Sequence, residues 1–200
     1  MNYFINTANL DKIKEAENLG ILDGVNTNTS LIVKEGIIKR NYRYSHYKNI
    51  CNIISGDLNA SVISTDYNDI IKEGEFLSNL DKKIIVKVPL TRDGIKAIKY
   101  FSIKKIKTNC TLVFSTGQAL LAAKAGANYI SIFIGRLYNT NLIKEIKLIY
   151  DNYFFKTKIL VTSIINTLHI ISCAKIGIDI ITAPLNEIKL LLNNSLLCTA

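Results

Sequence analysis

The sequence predicts an α/β fold, a single (β/α)8 TIM barrel, on three observations. Short apolar runs of strand length alternate with amphipathic stretches of helical spacing along the whole chain. The runs carry few polar residues, as strands of a parallel sheet do when both faces are buried. Several amphipathic stretches end near a glycine, at Gly20, Gly126 and Gly177, where a helix C-terminus takes up a left-handed residue. The chain of 200 residues is short for such a barrel but sufficient, and it reads as one domain over residues 1–200. A doubly wound open sheet is the competing architecture. No Gly-x-Gly-x-x-Gly follows an early strand, which counts against the dinucleotide-binding version of it.

Taken in order, the first strand is Tyr3-Phe4-Ile5, and Leu10 to Leu19 is the amphipathic helix behind it, stopped by Gly20. Leu22 to Val25 is the second strand. Arg40 to Lys48, where basic and aromatic residues interleave, reads as a solvated helix that packs its tyrosines inward. Leu58 to Ile63 is the third strand and Asp66 to Leu80 its helix. Ile84 to Val88, closed by Pro89, is the fourth, followed by a helix over Gly94 to Ile103. Thr108 to Val113 and the helix Gly117 to Ala125 come next, then the strand Tyr129 to Ile132. Lys158 to Val161, the helix Asn166 to Lys175 and the strand Asp179 to Thr182 complete the alternation.

Composition excludes several classes. An apolar fraction of 48% with 20% charged residues belongs to a globular chain rather than a disordered one. The net charge of +9 is spread over helix surfaces instead of gathered in a stripe, so no nucleic-acid partner is expected. Cys51, Cys110, Cys173 and Cys198 are isolated, with no Cys-x-x-Cys pair, so neither a zinc site nor a disulfide framework is indicated, and reduced thiols suit a cytoplasmic protein. His46 and His169 stand far from any ligand cluster and read as structural. The start Met1-Asn2-Tyr3-Phe4-Ile5 lacks the basic-then-apolar pattern of a secretory signal. The longest uncharged segments fall short of the ~20 residues of a membrane helix, so no membrane partner is expected.

Lys87 is the most informative residue. It interrupts the apolar run Ile84-Ile85-Val86-Lys87-Val88, where a strand of a parallel sheet would bury it. Burial disfavours an ammonium, and a lysine that loses its proton becomes a nucleophilic amine able to form a Schiff base with a carbonyl. In a barrel, function gathers at the C-terminal strand ends. Polar residues stand there along most of the chain: Asn6, Thr27 and Asn28, Ser61, Lys87, Asn109 and Thr111, Ser131 and Arg136, and Ser163. One amine, several amides and hydroxyls and an arginine at one mouth suit a phosphorylated carbonyl sugar bound covalently through Lys87 with its phosphate on Arg136.

These residues lie within seven segments that resemble, in order and over nearly the whole chain, the transaldolases, most closely the small ones grouped with fructose-6-phosphate aldolase. The segments are Tyr3 to Asn9, Gly24 to Leu31, Val86-Lys87-Val88-Pro89-Leu90-Thr91, Asn109 to Ser115, Gln118-Ala119, Ala125-Gly126-Ala127 and Ser131 to Arg136. The resemblance implies a (β/α)8 barrel that moves a dihydroxyacetone unit between phosphorylated sugars, as in pentose phosphate metabolism, without metal or organic cofactor. It implies Lys87 as the Schiff-base nucleophile and Thr111 as the hydroxyl that positions the water of proton transfer. Asn28 and Asn109 would hydrogen-bond the bound dihydroxyacetone unit, Ser131 would line the same pocket, and Arg136 and Ser163 would bind phosphate.

Four departures stand beside the matches. The family has an aspartate in place of Asn6, which acts as base on the sugar hydroxyl during carbon–carbon cleavage, and an amide cannot take up that proton. It has Glu or Gln in place of Ser61, beside the catalytic water. Its basic residue of the phosphate site is Ile165 here. Relatives also continue past Ala200 into a helix that packs subunits together, so a homo-oligomer is expected in weakened form. No nearby carboxylate substitutes: Asp57, four residues before Ser61 on a strand rising ~3.3 Å per residue, lies ~13 Å down the barrel. The resemblance thus leaves open a working transaldolase of low turnover, an aldolase-type lyase, or a catalytically impaired relative that binds sugar phosphate or serves as a structural subunit.

Overall fold

A computed structural model describes residues 1–133 and 140–193. The eight strands are β1 (Asn2–Asn6), β2 (Gly24–Asn26), β3 (Asp57–Ser61), β4 (Ile84–Pro89), β5 (Thr108–Val113), β6 (Tyr129–Phe133), β7 (Lys158–Thr162) and β8 (Ile180–Ala183). They pair in parallel and in chain order, and β1 pairs with β8, so the sheet closes into a barrel. The helices are α1 (Leu10–Asn18), α2 (Thr29–Lys34), α3 (Arg40–Ile53), α4 (Tyr67–Ser78), α5 (Arg92–Ile103), α6 (Thr116–Ala125), α7 (Thr140–Asn152), α8 (Thr167–Ile176) and α9 (Leu185–Lys189). The expected (β/α)8 barrel is therefore the fold.

Each expected strand is present, and the ends that differ have local causes. The second strand begins at Gly24 rather than Leu22, because Asp23 turns its carboxylate to the Tyr3 backbone N–H at 2.7 Å. The third ends at Ser61 rather than Ile63, whose N–H donates to Glu73 of α4 at 2.9 Å instead of to a neighbouring strand. Helices begin where a short polar side chain accepts a backbone N–H: Asn9, Asn28, Asp66, Thr91, Ser115 and Asn166 each cap the helix that follows. Gly126 and Gly177 end α6 and α8 in the left-handed conformation, as the sequence predicts.

Strand alternation sorts the core into two regions. Outward residues such as Ile5, Val25, Val86, Cys110 and Val161 pack against the helices in the main core. Inside the barrel, Phe4, Ile85, Tyr129, Leu160 and Ile180 form a separate apolar floor, one side chain from each of five strands. Gly24 makes room for it: a Cβ there would stand 2.6 Å from the Phe4 ring. Two residues further along these strands the inward positions turn polar, and that change creates the site.

Candidate active site at the C-terminal mouth

Lys87 points inward from β4, two residues above Ile85 of the apolar floor, and only 7% of it is exposed. Its Nζ donates to Asn26 Oδ1 at 3.0 Å and to the Thr27 carbonyl at 2.6 Å. Both acceptors are neutral. Burial is the sole cause that lowers its pKa, from 10.5 to about 8, and no carboxylate pulls it back. Roughly a tenth of the side chain is therefore free amine at pH 7, and the share grows as pH rises toward 8, as a Schiff-base nucleophile requires.

The amides around it form two chains. Asn26 Nδ2 donates to Asn6 Oδ1 at 3.2 Å, which links β1 to Lys87 through β2. Beneath the other side of the mouth, Ser131 Oγ donates to Asn109 Oδ1 at 2.9 Å, and Asn109 Nδ2 donates to Asn59 Oδ1 at 2.9 Å. Asn59 and Asn109 are fully buried, so these contacts compensate polar groups that would otherwise be costly to bury.

Above them lies a cavity of about 340 Å³. Of the residues singled out from sequence, Lys87, Ser61, Thr111 and Asn28 line it together. Register explains the grouping, since Ser61 of β3 and Asn109 of β5 flank Lys87, and Pro89 lies opposite Thr111. Thr111 sits in a bulge, for the β5–β6 register shifts between Cys110 and Val113, and the following Leu112 is left-handed at φ 63°. Asn28 reaches the wall while its Oδ1 caps α2 through Leu31 N–H at 2.8 Å, so its amide is held in one orientation. Asn109 and Ser131 lie below the cavity and hold each other. Ser163, just after β7, is left-handed at φ 64°. Ile165, in the same loop, is 60% exposed. Arg136 lies outside the described residues.

Comparison with known proteins decides the lineage. The family model Transaldolase/Fructose-6-phosphate aldolase matches residues 3–198. The chain belongs to this family. It is 58% identical over 201 residues to a protein of Cytophaga hutchinsonii named "Probable transaldolase", covering 98% of this chain and 92% of that one. A protein of the same name from Phocaeicola vulgatus is 56% identical with the same coverage. A crystal structure of 2,3-dimethylmalate lyase superimposes with a TM-score of 0.65 over 96% of this chain and 77% of that one, at 13% identity, a likeness of fold alone.

Within this transaldolase-family barrel the site contains partners that the sequence reading passes over. Asn26 and Asn59 stand two residues before Asn28 and Ser61, and only the barrel's register shows that Asn26 faces Lys87, beside the Thr27 carbonyl, and that Asn59 faces Asn109. Glu73 is another. Its burial is legible, for Ile70, Glu73, Gly74 and Leu77 share one face of α4. Its carboxylate accepts from Ile63 N–H, Ser64 N–H and Ser64 Oγ and pairs with buried Arg43 of α3 at 2.8 Å. It thereby fixes the loop that leaves Ser61.

The remaining candidates are structural here. His46 Nε2 lies 2.7 Å from the Ala8 carbonyl. Tyr47 is fully buried, Tyr44 packs on Phe76 with ring centroids 4.5 Å apart, and Tyr42 alone of the α3 tyrosines before it stays exposed. Cys51, Cys110 and Cys173 are buried free thiols, and burial pushes Cys51 and Cys110 up to about 12. Cys198 lies outside the described residues. Asp57 sits at the floor, where Tyr129 Oη donates to it at 2.7 Å. No helix among the described residues is long and apolar enough to cross a membrane, and no three metal-ligating side chains among them gather into a cluster.

Proposed function

We propose that the protein transfers a dihydroxyacetone unit between phosphorylated sugars through a Schiff base on Lys87, at low turnover. The observation that carries this reading is a buried lysine with a pKa lowered to about 8, on the wall of a cavity at the C-terminal end of a barrel. The Nζ lone pair attacks the C2 carbonyl of a ketose phosphate. The carbinolamine loses water, and the resulting iminium is an electron sink for cleavage between C3 and C4. The C4 hydroxyl must give up its proton as that bond breaks, which releases an aldose phosphate and leaves an enamine on Lys87. Attack of the enamine on an acceptor aldehyde, followed by hydrolysis, completes the transfer. Thr111 positions the water that carries protons, Asn28 orients the dihydroxyacetone hydroxyls, and Asn109 with Ser131 supports the pocket from below. Arg136 and Ser163 bind phosphate.

Asn6 and Ser61 supply no carboxylate for the cleavage step, which is why turnover is low. The same observation favours a second reading, a relative that condenses with sugar phosphate but does not cleave it. Incubation with fructose 6-phosphate and borohydride should leave a stable mass adduct on the peptide that carries Lys87. No adduct, or one that persists in Lys87→Ala, overturns the Schiff-base reading. Quantifying free dihydroxyacetone against transferred product then separates an aldolase from a transaldolase, and an adduct without either product supports the non-cleaving reading.

A further inference from the structure

Asn26 donates to Asn6 and accepts from Lys87, and neither the family match nor the names of relatives assign it a role. We propose that Asn26 is the positioning residue of the Lys87 amine, which aims the nitrogen lone pair into the cavity. The proposal rests on the reading of Lys87 as nucleophile.

A neutral amine carries two N–H bonds and one lone pair. Two fixed acceptors stand at Lys87 Nζ, Asn26 Oδ1 at 3.0 Å and the Thr27 carbonyl at 2.6 Å. When they hold the two hydrogens, tetrahedral geometry leaves the lone pair one direction, away from both. Lys87 lines the cavity, and both acceptors are buried beside it on the β2 side, so that direction is open to a carbonyl carbon. Thr27 holds its share through the main chain, where a side chain cannot alter it. Its own hydroxyl donates to the Asn59 carbonyl at 2.8 Å, which ties this stretch to β3. Asn26 is thus the one adjustable member of the pair.

The Asn26 amide has a defined orientation because both of its ends are used. Its oxygen faces the amine and its nitrogen faces Asn6 Oδ1. Asn6 is thereby held with its oxygen toward Asn26, and among the described residues its Nδ2 has no other partner. The strands packed beside Lys87 bring Ser61 and Asn109 into register with it, and Asn6, Asn26 and Thr27 complete its surroundings. None of these titrates near neutral pH, and no charged side chain contributes to the lowered Lys87 pKa. A change at position 26 therefore acts on the amine without interference from another titrating group.

The test measures borohydride trapping of fructose 6-phosphate as a function of pH in the parent, Asn26→Leu and Asn26→Asp. Parent trapping should rise with a midpoint near the Lys87 pKa of about 8. Asn26→Leu removes an acceptor that favours the ammonium, so its midpoint should move down while the plateau rate falls by about 10 to 10²-fold from misdirection of the amine. Asn26→Asp keeps an acceptor at the same place and adds charge. Its midpoint should move up by roughly 1 to 3 units, with the plateau at high pH largely retained. A merely structural residue would move stability and leave both midpoints in place. Unchanged midpoints, or an Asn26→Leu plateau equal to the parent's, in folded variants overturn the proposal, and if Asn26→Leu does not fold, the plateau of the smaller Asn26→Ala is read in its place. Failure of the parent to trap at Lys87 instead overturns the Schiff-base reading itself, a distinct result.

Discussion

Among the described residues, buried Arg43 and Lys87 stand in surroundings that differ in one respect. Arg43, 4% exposed, faces Glu73, 2% exposed, at 2.8 Å, while Lys87 faces only neutral oxygens. A guanidinium cannot shed its proton, so burying it demands a counter-ion. An amine can, so burying it without a counter-ion converts it into a nucleophile. The α3–α4 pair locks a loop, and the lysine of β4, without a counter-ion, has its pKa lowered by burial. Both groups titrate at lowered values in the fold, so both should make stability rise with pH, each in its own window. Burial pushes the Glu73 carboxyl up, but the N–H groups of Ser64 and Ile63, the Ser64 hydroxyl and Arg43 outweigh it and hold it below the ordinary carboxylate range. Its stabilisation is present above that range and is lost as pH falls through the lowered value.

The largest effect expected comes from giving the Lys87 neighbourhood the carboxylate it lacks. Asn6→Asp should raise turnover by roughly 10² to 10⁴-fold, the usual scale of general-base assistance, with little change in trapped adduct. Adding Ser61→Glu should help further without the gains adding, since both act on one proton network. A parent that already turns over briskly, with Asn6→Asp unchanged, would mean that another group serves as the base.

Next in size is the opposite manipulation of the paired site. Glu73→Gln leaves Arg43 charged and buried, and should cost about 3–5 kcal/mol, read as a fall of roughly 6–20 °C in Tm. A loss under 1 kcal/mol would show that Arg43 does not need its partner.

Comparable but confined to alkaline pH is the linkage at Lys87. Below pH 8 both folded and unfolded chains hold the ammonium, and the folded state bears its full desolvation. Between about 8 and 10.5 only the unfolded chain stays protonated, so stability should rise with pH by on the order of 3 kcal/mol relative to Lys87→Met. Parallel denaturation midpoints for parent and variant across that window would contradict the unpaired reading. The smallest effect concerns the exposed Ile165, where Ile165→Arg should lower the KM for phosphorylated sugars up to about tenfold by giving Arg136 a second cation, a gain of about 1.4 kcal/mol. An equal change with unphosphorylated sugars would place the phosphate elsewhere.

The sequence by itself determined the barrel and the lysine buried inside one of its strands. Strand and helix differ in hydrophobic period, and both periods are written in neighbouring residues, as the runs around Phe4, Ile85 and Leu160 and the glycine stops show. A lysine inside an apolar strand is equally local. What only the tertiary structure decided is who faces it. Asn26 lies 61 residues from Lys87 in sequence, and Asn59 lies 50 from Asn109. No local pattern encodes such pairs, because they are set by closure and stagger of eight strands, and a shift of one residue in register would turn each of these side chains outward. The buried Glu73 stands between the two cases: helical spacing shows that it is buried, and only the packing of α3 on α4 shows that Arg43 neutralises it.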